Sequence, residues 1–196
     1  MTFPRDKLDR RYIFLFVAIS LMIPLVLGVS LRPAEMATAK AFFDKVQSLE
    51  PAPGKIVLIS ADWGPGTLAE NRPQTMLVME HLMRKRIPFA LISVYVLASP
   101  FLRETPEAVA RQLEQEFPGE RWEYGKDWVN LGYQPNSLIM VEGLAKSSDW
   151  HQHLKADANG AALQDLPAMQ DVRSIRDVLA LMEFTGLQGV FNLWLQ

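Results

Sequence analysis

Residues 12–31 read YIFLFVAISLMIPLVLGVSL without one charged side chain. As a continuous helix this run would be about 30 Å long, the thickness of a bilayer's hydrocarbon core. Ser20 and Ser30 are its only polar side chains apart from the Tyr12 hydroxyl, too few to make the wet face of a soluble helix. The run therefore predicts a single membrane-spanning helix, with Pro24 as an internal kink of the kind membrane helices tolerate. Arg5, Lys7, Arg10 and Arg11 precede it, whereas Arg32, Lys40 and Lys45 follow. By that asymmetry the N-terminus is expected in the cytoplasm and the remainder outside, at the cell (inner) membrane, periplasmic or extracellular. Ala37-Thr38-Ala39 has the form of a signal-peptide cleavage site, but the apolar run exceeds a signal peptide's, so an uncleaved signal-anchor is expected.

The expected organisation is a cytoplasmic N-terminus over 1–11, the transmembrane helix over 12–31, a connecting helix and linker over 32–54, and an α/β domain over 55–196. The linker ends in Pro51-Ala52-Pro53-Gly54, a cluster that no helix or strand survives. Residues 55–61 (KIVLISA) form a continuous apolar run, as a strand covered on both faces requires. The spacing of Met76, Met79 and Met83 predicts a helix over 73–86 closing on Arg84-Lys85-Arg86. Residues 89–98 (FALISVYVLA) complete a strand, helix, strand unit. Thr105-Pro106-Glu107 reads as the start of a helix that stops at Pro118-Gly119. Residues 137–141 (SLIMV) and 178–184 (VLALMEF) are read as third and fourth core strands, and 121–132 as a segment open to an antiparallel edge strand. The tail after Gly186 is read as a helix. The expected fold is α/β: a transmembrane helix, then an open, mainly parallel Rossmann- or flavodoxin-like sheet of about four strands with helices on both faces.

The formal charge of −2 and pI near 5.9 supply no positive field for nucleic acid, so none is expected as a partner. With no cysteine, thiolate metal sites, cysteine nucleophiles and disulfides are excluded. Gly64-Pro65-Gly66-Thr67-Leu68-Ala69 matches the letters of a dinucleotide fingerprint. Its first glycine comes three residues late, a proline stiffens the turn, and no acid ends the second strand, so it is read as a turn and no organic cofactor is expected. His151 and His153, two apart on a helical stretch, diverge rather than share a metal. Trp122, Tyr124, Trp128 and Tyr133 beside Arg121 and Lys126 read as a packed edge.

Ligands of doubly wound sheets bind beyond the carboxyl ends of the strands. That rule selects Asp62, Gly64, Gly66, Thr67, Tyr95, Ser99, Glu142, Glu183 and Thr185 as ligand-facing candidates. Convergence of Asp62, Glu142 and Glu183 would suit a divalent cation or an acid/base pair. Two functions follow. One is a membrane-anchored binding or assembly module, with the bilayer contacted through 12–31 and a membrane protein, a second copy or a small molecule as partner. The other is an extracytoplasmic hydrolase using the strand-end carboxylates with a divalent metal. The choice between enzyme and module rests on whether the three acids meet.

RRYIFLFVAISLMIPL, KIVLISADWGPGT, RKRIPFALIS, YGKDWVNLGYQPN and LQDLPAMQDVRSIRDVLALMEF together resemble an uncharacterised family of bacterial N-terminally membrane-anchored proteins with a Rossmann-like outer domain. The resemblance spans nearly the whole chain, with an acid after the first strand matched at Asp62 and a Y-G-x-D-W/Y-V-x-L-G-Y segment matched from Tyr124 to Tyr133. It departs from the family at Glu142-Gly143, where small residues are usual. It implies topology and location, and no activity.

Overall fold

A computed structural model describes residues 9–28 and 36–195. The chain divides into two compact units, Met1–Ala41 and Phe42–Gln196. In the first, Asp9 accepts a hydrogen bond from the Arg11 N–H and so caps helix α1, Arg10–Val26.

Helix α1 corrects the expectation of a membrane anchor. Its 17 residues give a length of about 26 Å, and because Arg10 and Arg11 open it, the charge-free part 12–26 is only about 22 Å long. Pro24 removes one helical donor and crowds the carbonyl a turn earlier, and the helix ends two residues later. Leu27 caps it, and Gly28 follows with φ of +58°, a conformation that does not continue a helix. Among the described residues no helix is long and apolar enough to cross a membrane. The single-pass signal-anchor, the bilayer as partner through 12–31, and the inner-membrane location built on them are therefore not supported. Residues 29–31 of the expected span, and Arg5, Lys7 and Arg32 of its flanks, lie outside the described residues.

Helix α2, Ala37–Gln47, contributes Val46 to the core of the second unit. That unit contains a four-stranded sheet in the order β3-β2-β1-β4, with β1 at Ile56–Asp62, β2 at Phe89–Ser93, β3 at Trp128–Tyr133 and β4 at Val178–Thr185. Every pairing is parallel. Helices α3, Leu68–Arg84, and α4, Ser99–Glu116, are the crossovers from β1 to β2 and from β2 to β3. Both bury their apolar stripes on one face, where Val78, Met79, Leu82, Leu102, Val109 and Leu113 meet Val57, Ile59, Phe89 and Leu91. The connection from β3 to β4 reverses direction and passes over the opposite face, as the handedness of parallel crossovers demands. It carries α5, Ser137–Lys146, and α6, Trp150–Leu154, and its Met140, Leu144, Trp150, Leu163 and Met169 close on Ile56, Leu58, Ile92 and Val129. Helix α7, Val190–Trp194, follows β4 and lays Leu193 and Trp194 on the same cluster.

The α/β class and parallel sheet agree with the sequence reading, but the third strand does not. Residues 137–141 are helical, with Met140, Val141 and Leu144 buried one turn apart and Ile139 exposed. A five-residue apolar run fits a buried helix turn as well as a strand. The strand is instead WVNLGY, parallel rather than antiparallel, in the aromatic segment read as an edge. Helices α3 and α4 also begin earlier than Pro73 and Thr105, so Pro73 and Pro106 lie inside them. A single 3-10 turn, Pro65–Thr67, leads into α3, and Pro100 occupies the first turn of α4.

Candidate functional site

The strand order places the reversal of direction between β1 and β4, and the carboxyl ends of these strands carry Asp62, Glu183 and Thr185. Ser60 pairs with Glu183 and Asp62 with Thr185, so the two acids are diagonal neighbours on one face of the sheet. Ile56 and Leu58 occupy the same face below them, within the second apolar cluster.

Asp62 is fully buried and enclosed by its own neighbours. Its carboxylate accepts the Ser60 hydroxyl at 2.5 Å, the Ser93 hydroxyl at 2.8 Å and the Val94 N–H at 2.6 Å. Burial raises its pKa, and these donors oppose the rise by stabilising the ionised form. Asp62 thus fastens the ends of β1 and β2 together. Glu183 has no such enclosure. Both its carboxyl oxygens are shut away from solvent, and neither has a hydrogen-bond partner among the described residues. Burial, and then the charge of Asp62, push it up to about 7. The indole N–H of Trp194, on the helix covering this face, is likewise buried and unpaired.

Three loops converge around these acids. A side chain added at Gly186 would meet Thr67 at 2.3 to 2.8 Å, so the loops after β1 and β4 touch only because glycine stands there. A Cβ at Gly64 would lie 3.0 Å from the Tyr95 ring and 3.3 Å from Leu97, which brings the loops after β1 and β2 together; at Gly66 there is open space. Thr185 binds the Asp62 carbonyl at 3.3 Å and accepts the Leu187 N–H at 3.0 Å, holding the exit of β4. Ser99 donates to the Val96 carbonyl at 2.9 Å in the turn before α4.

Glu142 does not join this set. It is exposed on helix α5, paired with Lys146 at 2.7 Å, because the segment that carries it is not a strand. The three acids on whose meeting the hydrolase reading depends therefore do not converge, and among the described residues no group of three or more metal-binding side chains stands together. The hydrolase reading loses its third carboxylate. His151 is engaged in structure, with Nε2 2.8 Å from the Met169 carbonyl and Nδ1 2.8 Å from Arg173.

The two edges of the sheet differ. Outside β3, the segment 156–162 folds back so that Ala158 N–H donates to the Asn130 carbonyl at 2.8 Å, while Gly125 N–H donates to the Trp128 carbonyl and the Tyr124 hydroxyl accepts the Asn130 N–H. Asp157 anchors this cover, accepting the Tyr124 hydroxyl at 2.5 Å, Asn159 N–H at 2.9 Å and Ala161 N–H at 2.7 Å. Burial first, then the bond to Asp157, raise the Tyr124 pKa, so the phenol keeps its proton. Outside β4, no backbone of another described segment makes a hydrogen bond. Val178, Leu179, Ala180 and Leu181 are half-buried, and Glu183 is the only charge on the strand.

Sequence reasoning missed Asn130, Asp157 and the Ser60 and Ser93 clamp. Asp157-Ala158-Asn159-Gly160 is a recognisable turn, but its docking on β3 is a long-range pairing that no local pattern announces. Compared with protein-family models, curated proteins and solved structures, the chain has no match in any of the three.

Proposed function

We propose that the α/β unit is an assembly module that joins a second copy of itself through the free edge of β4. The observation that carries this reading is the contrast of the edges: one ladder is capped by its own chain and the other has no backbone partner among the described residues. An unpaired strand presents a row of N–H and C=O groups to another strand, and natural edges are usually blunted by proline, lysine or a bulge. Strand β4 contains neither proline nor lysine, and its one irregularity falls at its start, opposite Ile56 and Val57. Ala180 through Thr185 run regularly beyond it.

A second copy suits this edge by symmetry. A two-fold axis sets β4 antiparallel to its mate, the stronger ladder geometry, and the single charge meets its own copy only if the axis passes through Glu183. The capped β3 edges then stop growth at an eight-stranded sheet rather than a fibre. Because the chain has no cysteine, single cysteines placed at successive positions from Ala180 to Thr185 give a background-free test. Mild oxidation of the full chain should yield disulfide dimers at the position nearest the axis and none from Tyr133→Cys on β3. Equal cross-linking on both edges, or none on β4, overturns the proposal.

A further inference from the structure

Between α4 and β3 lies a cavity of about 130 Å3 lined by Leu102, Arg103, Glu107, Tyr124, Trp128, Asn130 and Asn159. It adjoins an open groove of about 480 Å3 along the start of α4, with Arg103 and Glu107 common to both. Most polar groups at the cavity are already committed. Tyr124 donates to Asp157 and accepts from Asn130 N–H, and the Asp157 oxygens are filled by three donors.

What remains is specific. Asn130 is only 7% exposed, and its Oδ1 accepts the Gly132 N–H at 2.9 Å, which fixes the orientation of the amide. Its Nδ2, a donor of two hydrogens, has no partner among the described residues and is not shut off from solvent. At the mouth, Arg103 and Glu107 are 3.6 Å apart, beyond a good hydrogen bond, and their side chains are 75% and 41% exposed. Both can turn to a ligand. The functions left for a ligand are therefore one neutral donor at the cavity, one cation, and an anion that Arg111 also approaches at 3.7 Å. A lone carboxylate leaves Glu107 only its loose contact with Arg111, and a lone amine leaves Asn130 and Arg103 unanswered.

We propose that this cavity binds a free α-amino acid with a small side chain. Its carboxylate takes the Asn130 Nδ2–H and the Arg103 guanidinium, its ammonium takes Glu107, and the side chain extends into the groove along α4. Neither the β4 edge nor the Asp62 and Glu183 pair takes part, so this site stands or falls independently of the assembly proposal.

Glycine and L-alanine, titrated into the full chain by calorimetry and nitrogen-15 NMR, should bind with dissociation constants of about 0.1–10 mM, in keeping with so few heavy atoms. The Asn130 side-chain amide signals should move on binding. Acetate and methylammonium should bind at least about tenfold more weakly, since each answers only part of the site. Asn130→Asp retains an acceptor for Gly132 N–H but turns the free donor into an oxygen, and it should weaken glycine at least about tenfold with the backbone spectrum preserved. Arg103→Gln and Glu107→Gln, at exposed positions, should do the same. Absence of saturable glycine or alanine binding overturns the proposal, as does acetate or methylammonium binding as tightly as glycine, or an undiminished Asn130→Asp.

Discussion

Strands β3 and β4 bound the same parallel sheet and finish it in opposite ways. On β3 the chain spends a whole loop, pinned by the buried Asp157, to satisfy the outward carbonyls of Trp128 and Asn130. On β4 nothing comparable is folded back among the described residues, although that strand is longer and more apolar. The difference teaches where the fold is complete in itself and where it is open. The same contrast recurs at the ends of the inner strands, where Asp62 is enclosed by three donors while Glu183, on the open side, is buried without one.

The sharpest way to break the contrast is to uncover β3. Asp157→Ala removes the acceptor of three hydrogen bonds, leaving the Tyr124 hydroxyl and two backbone donors unpaired, and should cost about 2–4 kcal/mol in urea denaturation. With two open edges the variant should also pass beyond dimers in sedimentation. Unchanged stability would mean that the loop does not hold the β3 edge.

Next is the charge on β4. With an ordinary value of 4.5 and a folded value near 7, Glu183 is protonated in both states at low pH and contributes nothing there. Between these values the folded chain holds a proton that the unfolded chain releases, so stability falls as pH rises through about 7 and stays lower above it. Glu183→Met should abolish this slope and add about 1–3 kcal/mol at pH 8, the cost of a buried unsatisfied group. Pairing of β4 with its mate packs more of the protein around the same carboxyl and favours its neutral form, so dimers of the natural chain should strengthen as pH falls toward about 7 and level off below it. A pH-independent dimer would remove Glu183 from the interface.

The smallest effect concerns the anchored start of β4. The Lys55 ammonium, 2.9 Å away, and the Arg173 and Ser174 N–H groups hold Asp177 down to about 2. A depressed carboxylate stabilises above its ordinary value of 3.8 and loses that contribution as pH falls toward about 2. Asp177→Asn should cost about 0.5–1 kcal/mol at pH 7 in urea denaturation, a partly exposed pair being screened, and should flatten the acid limb of the stability curve.

Much of this frame is legible in the residues alone. KIVLISA, FALISVYVLA and VLALMEF are mainly apolar, as strands inside an α/β sheet are, although the second strand ends at Ser93, and Asp62 and Glu183 are recognisable as acids at strand ends. The exchange of roles between SLIMV and WVNLGY is not legible, because a short apolar run carries no period and tertiary packing decides it. Hydropathy over 12–31 counts apolar residues but is blind to the helix end near Pro24 and Gly28. Pairing partners are set by long-range contacts, so neither the cap on β3 nor the bare edge of β4 could be read from their own residues. The same holds for Asn130, a polar residue in a strand whose meaning comes from the cavity beside it.

Hydrogen exchange of the backbone amides, followed from micromolar to millimolar protein, tests the open edge most directly. The account predicts that amides along the outer side of β4 gain protection as concentration rises, while those of β3 exchange at a rate that does not change. Protection of β4 that is independent of concentration, or that rises equally on both edges, would contradict it.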